Sequence, residues 1–326
     1  HLSLRRQRQM CIRDRLHWLY MFRDKPVDPV WSWIVIVLSA FGTLTAITGT
    51  LAGIWRWRFR GRYKSGARTP YREAYLHWHH IIGLSFAAII FTWIFSGLMS
   101  MNPLGIFDAR GEKPNSAAYR GVAPGAMHLS LSAAQAITLL NDAGFRANEI
   151  EWRVLHGRPY LLARNAANAT RLIVAEGGRY QVRERWGDAE LLQGAAQLLH
   201  APIRDHQVLE HYDTYYYGRQ QEAMMGAAER RLPALRVRFE EAHQTWVHLD
   251  PFTGDIESSL DQAQRTGRWL FSFLHSWDLP PMLQAGAWRD AILILLSLGG
   301  LALSITGIVI GWRRLRVWFG QHHRAH

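Results

Sequence analysis

Three apolar stretches interrupt an otherwise polar chain. The first runs from Trp31 to Trp55, with no charged residue between Asp28 and Arg56. The second covers roughly His80 to Met101, inside a run without Asp, Glu, Lys or Arg from Leu76 to Phe107, and the third extends from Ala291 to Trp312. Each meets the length of about 20 apolar residues that a helix needs to cross a bilayer. The pattern therefore predicts transmembrane helices over 31–55, 77–101 and 288–312. Between the last two the pattern changes. Ser130–Phe145 has a helical apolar period that stops at Gly144, and Asp188–Leu199 reads as a second helix. Ile150–Val154, Tyr160–Ala163 and Arg171–Ala175 read as short strands, and Leu235–Phe239 with Thr245–Leu249 as a strand pair closed by the turn Asp250–Asp255. Tyr212 and Tyr215–Tyr217 read as a core or interface patch. The predicted fold class is an integral membrane α-helical bundle with an extracytoplasmic α+β domain over 102–287.

Charge orients this plan. Seven basic residues fall between Arg56 and Arg72 with no acid before Glu73, and Arg313-Arg314-Leu315-Arg316 follows the third stretch. Positive residues collect on the cytoplasmic side. That makes 56–76 a cytoplasmic loop, 313–326 a cytoplasmic tail and 102–287 an outer domain. The formal charge of +12 thus follows from topology, and nucleic acid is not an expected partner. A mean hydropathy of −0.13 averages over these two kinds of sequence. Fifteen Trp suit a chain at a membrane interface. One Cys rules out disulfides within the chain, and no Cys-x-x-Cys-His is present. Residues 1–15 have no apolar period, initiator Met or signal-peptide layout, and read as non-native sequence, Cys11 included. Residues 16–30 then form an outer segment before the first helix. Because this topology starts outside, an earlier helix or signal is expected upstream: three spans in a fragment of a four-span protein.

An internal repeat ties the first and third stretches together. Leu38–Arg56 aligns without gaps on Leu296–Arg314 with 8 of 19 positions identical, including Ile-Thr-Gly, a later Gly and the final Arg. The same offset maps Leu16-His17 onto Leu274-His275. His17 and His275 then sit at the outer ends of two equivalent helices, while His77, His79 and His80 sit at the inner end of the helix between them. Two imidazoles from opposite sides suit a low-spin haem iron, held non-covalently as haem b. Gly83 lies at i+4 from His79, where a missing side chain leaves room for a porphyrin; Gly49 and Gly307 could do likewise or let helices approach. Other roles compete: histidines at a headgroup boundary also snorkel or hydrogen-bond, and His77 with His80 at i, i+3 could be a metal pair. His156, His200, His206, His211, His243 and His248 read as structural, and the tail histidines His322, His323 and His326 as solvated.

These residues carry a resemblance to the PepSY-associated transmembrane family, which includes iron-regulated membrane proteins and siderophore-linked ferric reductases. The matching pieces are His79-His80-Ile81-Ile82-Gly83-Leu84, Tyr215–Tyr217, Thr245–Gly254, Arg268–Ser276 and the closing Thr306-Gly307 helix. The resemblance implies a multi-pass protein of the bacterial inner membrane with its large PepSY-like domain in the periplasm. It implies two haems, the inner one on His79 (His80 as neighbour) with a histidine of the missing first helix, the outer one on His17 and His275. It also implies electron transfer from a quinone or cytoplasmic donor to a periplasmic acceptor such as a ferric siderophore, hence a membrane ferric reductase. The alternative is a non-enzymatic PepSY protein that binds or regulates an envelope partner, a peptidase or peptide.

Overall fold

The computed structural model describes residues 28–121, 129–218 and 230–322. The chain divides into two compact units, one formed by the sequence up to Ile106 and from Gly267 onward, the other by Phe107–Thr266.

The first unit is helical. Helix α1 is Pro29–Arg56; Asp28 caps it by accepting from the Trp31 amide at 3.1 Å, and Pro29 occupies the first turn, where its missing N–H costs nothing. Several of its hydroxyls are satisfied locally: Thr43, Thr45 and Thr48 donate to the carbonyls of Ser39, Phe41 and Leu44. Such back-bonding lets threonine sit in an apolar helix without an outside partner. Helix α2 (Ala74–Ser85) is capped by Glu73, which accepts from the Leu76 amide, and helix α3 (Ala87–Ser100) follows after a 73° bend. The pattern predicted one straight span here; the structure breaks it at Phe86. The Phe86 ring lies where a side chain on Gly299 would be, 2.5 Å from that position at Cζ, so the bend is seated against a glycine of a later helix. Among the described residues, α1 and the stretch Ala287–Trp318 are long and apolar enough to cross a membrane, and α2–α3 makes a third if the bent pair is one span.

In the second unit, α4 (Ser116–Arg120) and α5 (Ala133–Asp142) precede an antiparallel meander of β1 (Glu149–Leu155), β2 (Arg158–Arg164), β3 (Thr170–Glu176) and β4 (Arg179–Arg183). Helix α6 (Asp188–Ala195) leads to a second meander of β5 (Ile203–Leu209), β6 (Ala234–Phe239), β7 (Trp246–Leu249) and β8 (Ile256–Leu260). A capping box between Ser132 and Gln135 starts α5, and Gly144 at φ +72° follows its end. The turns His156-Gly157 and Gly177-Gly178 have positive φ at both positions, the conformation that matches strand twist in tight hairpins. β2 is apolar along most of its length because both faces of its sheet are covered. Tyr160 and Leu162 join the core shared with Leu235, Val237, Phe239 and Val247 of the second sheet, while Leu161 and Ala163 face α5 through Ala136 and Leu140.

After the second meander come α7 (Gln262–Arg268), a π-helical turn (Trp269–Phe273), α8 (Leu274–Ser276), α9 (Pro280–Gln284) and α10 (Ala287–His322). The expected outer region ran to residue 287, but the compact unit ends at Thr266. The aromatic π-turn packs on α3, which draws Gly267–Gly286 into the helical unit.

Candidate functional site

The repeat places Leu38–Arg56 in α1 and Leu296–Arg314 in α10, and both helices pack on the bent pair: α1 along α3 and α2, α10 along α2. The histidines of α2 make these joints. His79 brings its Nδ1 to 2.9 Å from the Thr306 hydroxyl of α10, and its ring lies flat enough on that helix that a Gly307 Cβ would be 3.4 Å from Cε1. Neighbouring His80 turns to α1 instead. Its Nε2 is 2.8 Å from the Gly53 carbonyl and must donate, because a carbonyl only accepts. Its Nδ1 therefore accepts from the Thr69 hydroxyl at 2.7 Å. With both nitrogens engaged and 7% of its surface exposed, His80 braces α2 against α1 and has no lone pair to offer a metal in this arrangement. Tyr71 and Trp57 close on its ring edge-to-face.

His77 donates from Nδ1 to the Tyr71 carbonyl at 3.2 Å and packs against Trp78. The proposed His77–His80 metal pair loses one member to the brace just described, and no cluster of three or more metal-ligating residues occurs among the described residues. His275 follows the π-turn, stacks on Phe271 and has Nδ1 3.0 Å from the Ser96 hydroxyl of α3. Close by, Arg289 pairs with Asp278 at 3.4 Å and donates to the Ser276 carbonyl. His17, His323 and His326 lie outside the described residues, as does the His322 side chain, so the predicted His17–His275 pair has only its second member on view.

Beside His79 a groove of about 490 Å³ opens between α1 and the bent pair. That size is within the range of ordinary ligand pockets, roughly 300–1,000 Å³. Small residues line much of it, Gly42, Ala46, Gly49 and Gly53 from α1 and Gly83 and Ala87 from the bent pair, alongside larger apolar side chains such as Ile90 and Ile94. A Cβ at Gly49 would meet nothing within 4 Å, whereas one at Gly83 would touch Leu303 at 3.4 Å, so the first glycine leaves room and the second lets helices pack. Of the two histidines lining the groove, His80 is engaged and His79 is the one suited to ligation; a bis-histidine iron here needs a second ligand from beyond the described residues.

The α/β unit has a buried polar chain that sequence reading did not single out. Asp213 takes both ends of the Arg236 guanidinium, at 2.7 and 2.9 Å; Arg236 Nε donates to His248 Nε2 at 2.8 Å, and His248 Nδ1 meets the Ser258 hydroxyl at 2.9 Å. Burial, reinforced by the Arg236 charge, pushes the His248 pKa down to about 3. Since Nε2 accepts, Nδ1 carries the proton and donates to Ser258. This ring cannot take a proton from Ser258, so the pair is no activated nucleophile. The turn at Asp250 is built the same way: burial raises the Asp250 pKa while its carboxylate accepts from the Phe252 amide and Thr253 hydroxyl.

Sequence reasoning found His79 and His275 but not their partners Thr306 and Ser96. The available signal was a hydroxyl residue inside an apolar helix, twice adjacent to glycine in the repeat. No family model, no curated protein and no solved structure matches the chain.

Proposed function

We propose that the chain is a membrane b-type haem protein that passes electrons to an acceptor on the side of its α/β unit, the acceptor class being a ferric chelate. The observation carrying this reading is the placement of His79 on the wall of a largely apolar groove between α1 and the bent pair, with its ring seated on α10, the other helix of the internal repeat. Haem supplies a reversible one-electron couple when bound. The chain would contribute His79 toward an inner haem and His275 toward an outer one, with the largely apolar groove beside His79 receiving the first. Fe(II) suits hard oxygen ligands less well than Fe(III), so electron delivery would loosen iron from such a chelate. The basic loop after α1 supports a cytoplasmic side there and an extracytoplasmic α/β unit in a bacterial inner membrane.

The test is the absorption spectrum of the purified chain from haem-replete cells. A Soret band and a haem content that fall in the His79→Ala and His275→Ala variants are expected. A folded, colourless preparation overturns the reading. It would favour a binding module instead, which the inert His248–Ser258 pair of the α/β unit also suits; a stable envelope partner recovered with the intact chain would support that.

A further inference from the structure

The histidine of the groove can exist as either of two neutral tautomers, and only one of them exposes Nε2 as a ligand. The neighbours on α10 decide between them. Thr306 is nearly buried, and its hydroxyl lies 3.0 Å from the Ala302 carbonyl and 2.9 Å from the Leu303 carbonyl. Both carbonyls accept only, and back-bonding to either one uses the single hydroxyl proton within α10. With that proton given to a backbone carbonyl, Thr306 offers His79 a lone pair at 2.9 Å, and the Leu303 carbonyl is a second acceptor for His79; both favour Nδ1 as the protonated nitrogen. Gly307, the next residue, removes the side chain that would lift the ring from the helix: an added Cβ would sit 3.4 Å from Cε1 and 3.9 Å from Nδ1. A hydroxyl that accepts and a glycine that clears space form a seat with one orientation.

We infer that Thr306 is a positioning residue, which together with Gly307 fixes His79 in the Nδ1–H tautomer and keeps Nε2 as the ligating atom. This rests on the haem reading for its purpose but not for its geometry. The arrangement is the familiar one in which a ligating imidazole donates its other N–H to a protein acceptor, raising its basicity; losing such a partner typically weakens metal affinity by about 10–100-fold. It also assigns a use to the Thr-Gly of the repeat that helix packing alone would not require. At the equivalent position of α1, Thr48 donates to Leu44 and Gly49 faces open groove, so the seat is built on α10 alone among the described residues.

Two measurements test it independently. In the ¹⁵N-histidine spectrum of the haem-free chain, with the His79 signal assigned by its loss in His79→Gln, the ring should show the Nδ1–H tautomer. Thr306→Val, which keeps the shape and removes the acceptor, should shift it toward Nε2–H, and Thr306→Ser should restore it. In haem-loaded protein, Thr306→Val should weaken haem retention about 10–100-fold and raise the midpoint potential, because a less basic imidazole stabilises the ferric state less; Thr306→Ser should return both toward wild type. An Nε2–H tautomer in the wild-type chain overturns the inference even if haem binds. The expected tautomer in a chain that never binds haem leaves the seat standing and defeats the haem reading instead. Should Thr306→Val fail to fold, the wild-type and Thr306→Ser spectra still decide the tautomer.

Discussion

Lowering the pH from 7 to 5 loads the α/β unit chiefly at His248, a fully buried imidazole between Arg236 and Ser258. Burial and the neighbouring guanidinium hold its pKa at about 3 in the folded chain, against an ordinary 6.5. Below pH 6.5 the unfolded chain takes up a proton that the folded chain refuses. Stability tied to this group is therefore intact above pH 6.5 and is lost progressively as the pH falls toward 3. Each pH unit in that window costs about 1.4 kcal/mol, so the deficit at pH 5 is about 2 kcal/mol, a substantial part of a typical domain stability of about 5–15 kcal/mol. Other groups overlay this slope. Burial raises the pKa of Asp250 and Glu257, which favours the fold on acidification, while at Asp213 burial is offset by Arg236 and the Tyr215 and Tyr216 amides, whose net lowering acts the other way. His248→Gln separates them, since its amide oxygen can still accept from Arg236 but does not titrate. Hydrogen exchange of the β6 and β7 amides in the intact chain, corrected for the pH dependence of intrinsic exchange, reads the local opening free energy. Wild type should lose about 2 kcal/mol more than His248→Gln between pH 7 and 5. Parallel pH profiles for the two proteins would refute the reasoning.

Three further outcomes follow from packing. Gly121 has φ +86° and its Cβ would fall 2.5 Å from the Gly157 backbone nitrogen, so Gly121→Ala should destabilise the α/β unit by more than about 1 kcal/mol in urea denaturation. Gly299→Ala meets the Phe86 ring at the bend and should lower the thermal midpoint of the detergent-solubilised chain, at a cost of about 1–3 kcal/mol. Leu161→Ala, at a fully buried site between β2 and α5, should cost about 2–5 kcal/mol and leave the urea m-value unchanged.

Where one physical signal dominated, the sequence was legible. α1 and α10 declare themselves by uninterrupted apolar length, and β1, β2 and β3 by short apolar or β-branched runs between turn residues. β4, β5 and β8 escaped notice because they are polar and largely uncovered: Arg179–Arg183 and Ile203–Leu209 have mostly exposed or half-exposed positions, so no alternation stands out. The bend at Phe86 was invisible because the space its ring occupies is left by Gly299, more than two hundred residues away. The same holds for the histidines. Spacing alone put His79 and Gly83 on one face of α2, but only Thr69 and Gly53 show that His80 is a brace, and only Thr306 shows which nitrogen His79 presents. A side chain's protonation state depends on its partners, and sequence does not list them.

The pairing of adjacent histidines with different helices also has a mechanical meaning. Consecutive residues on a helix point about 100° apart, and here one ring is tied to α10 while the next is tied to α1. Turning α2 about its own axis would stretch both ties, so its rotation is locked as a two-point mount locks a shaft. The two repeat helices are thereby tied to α2 at neighbouring positions, one helix through each histidine.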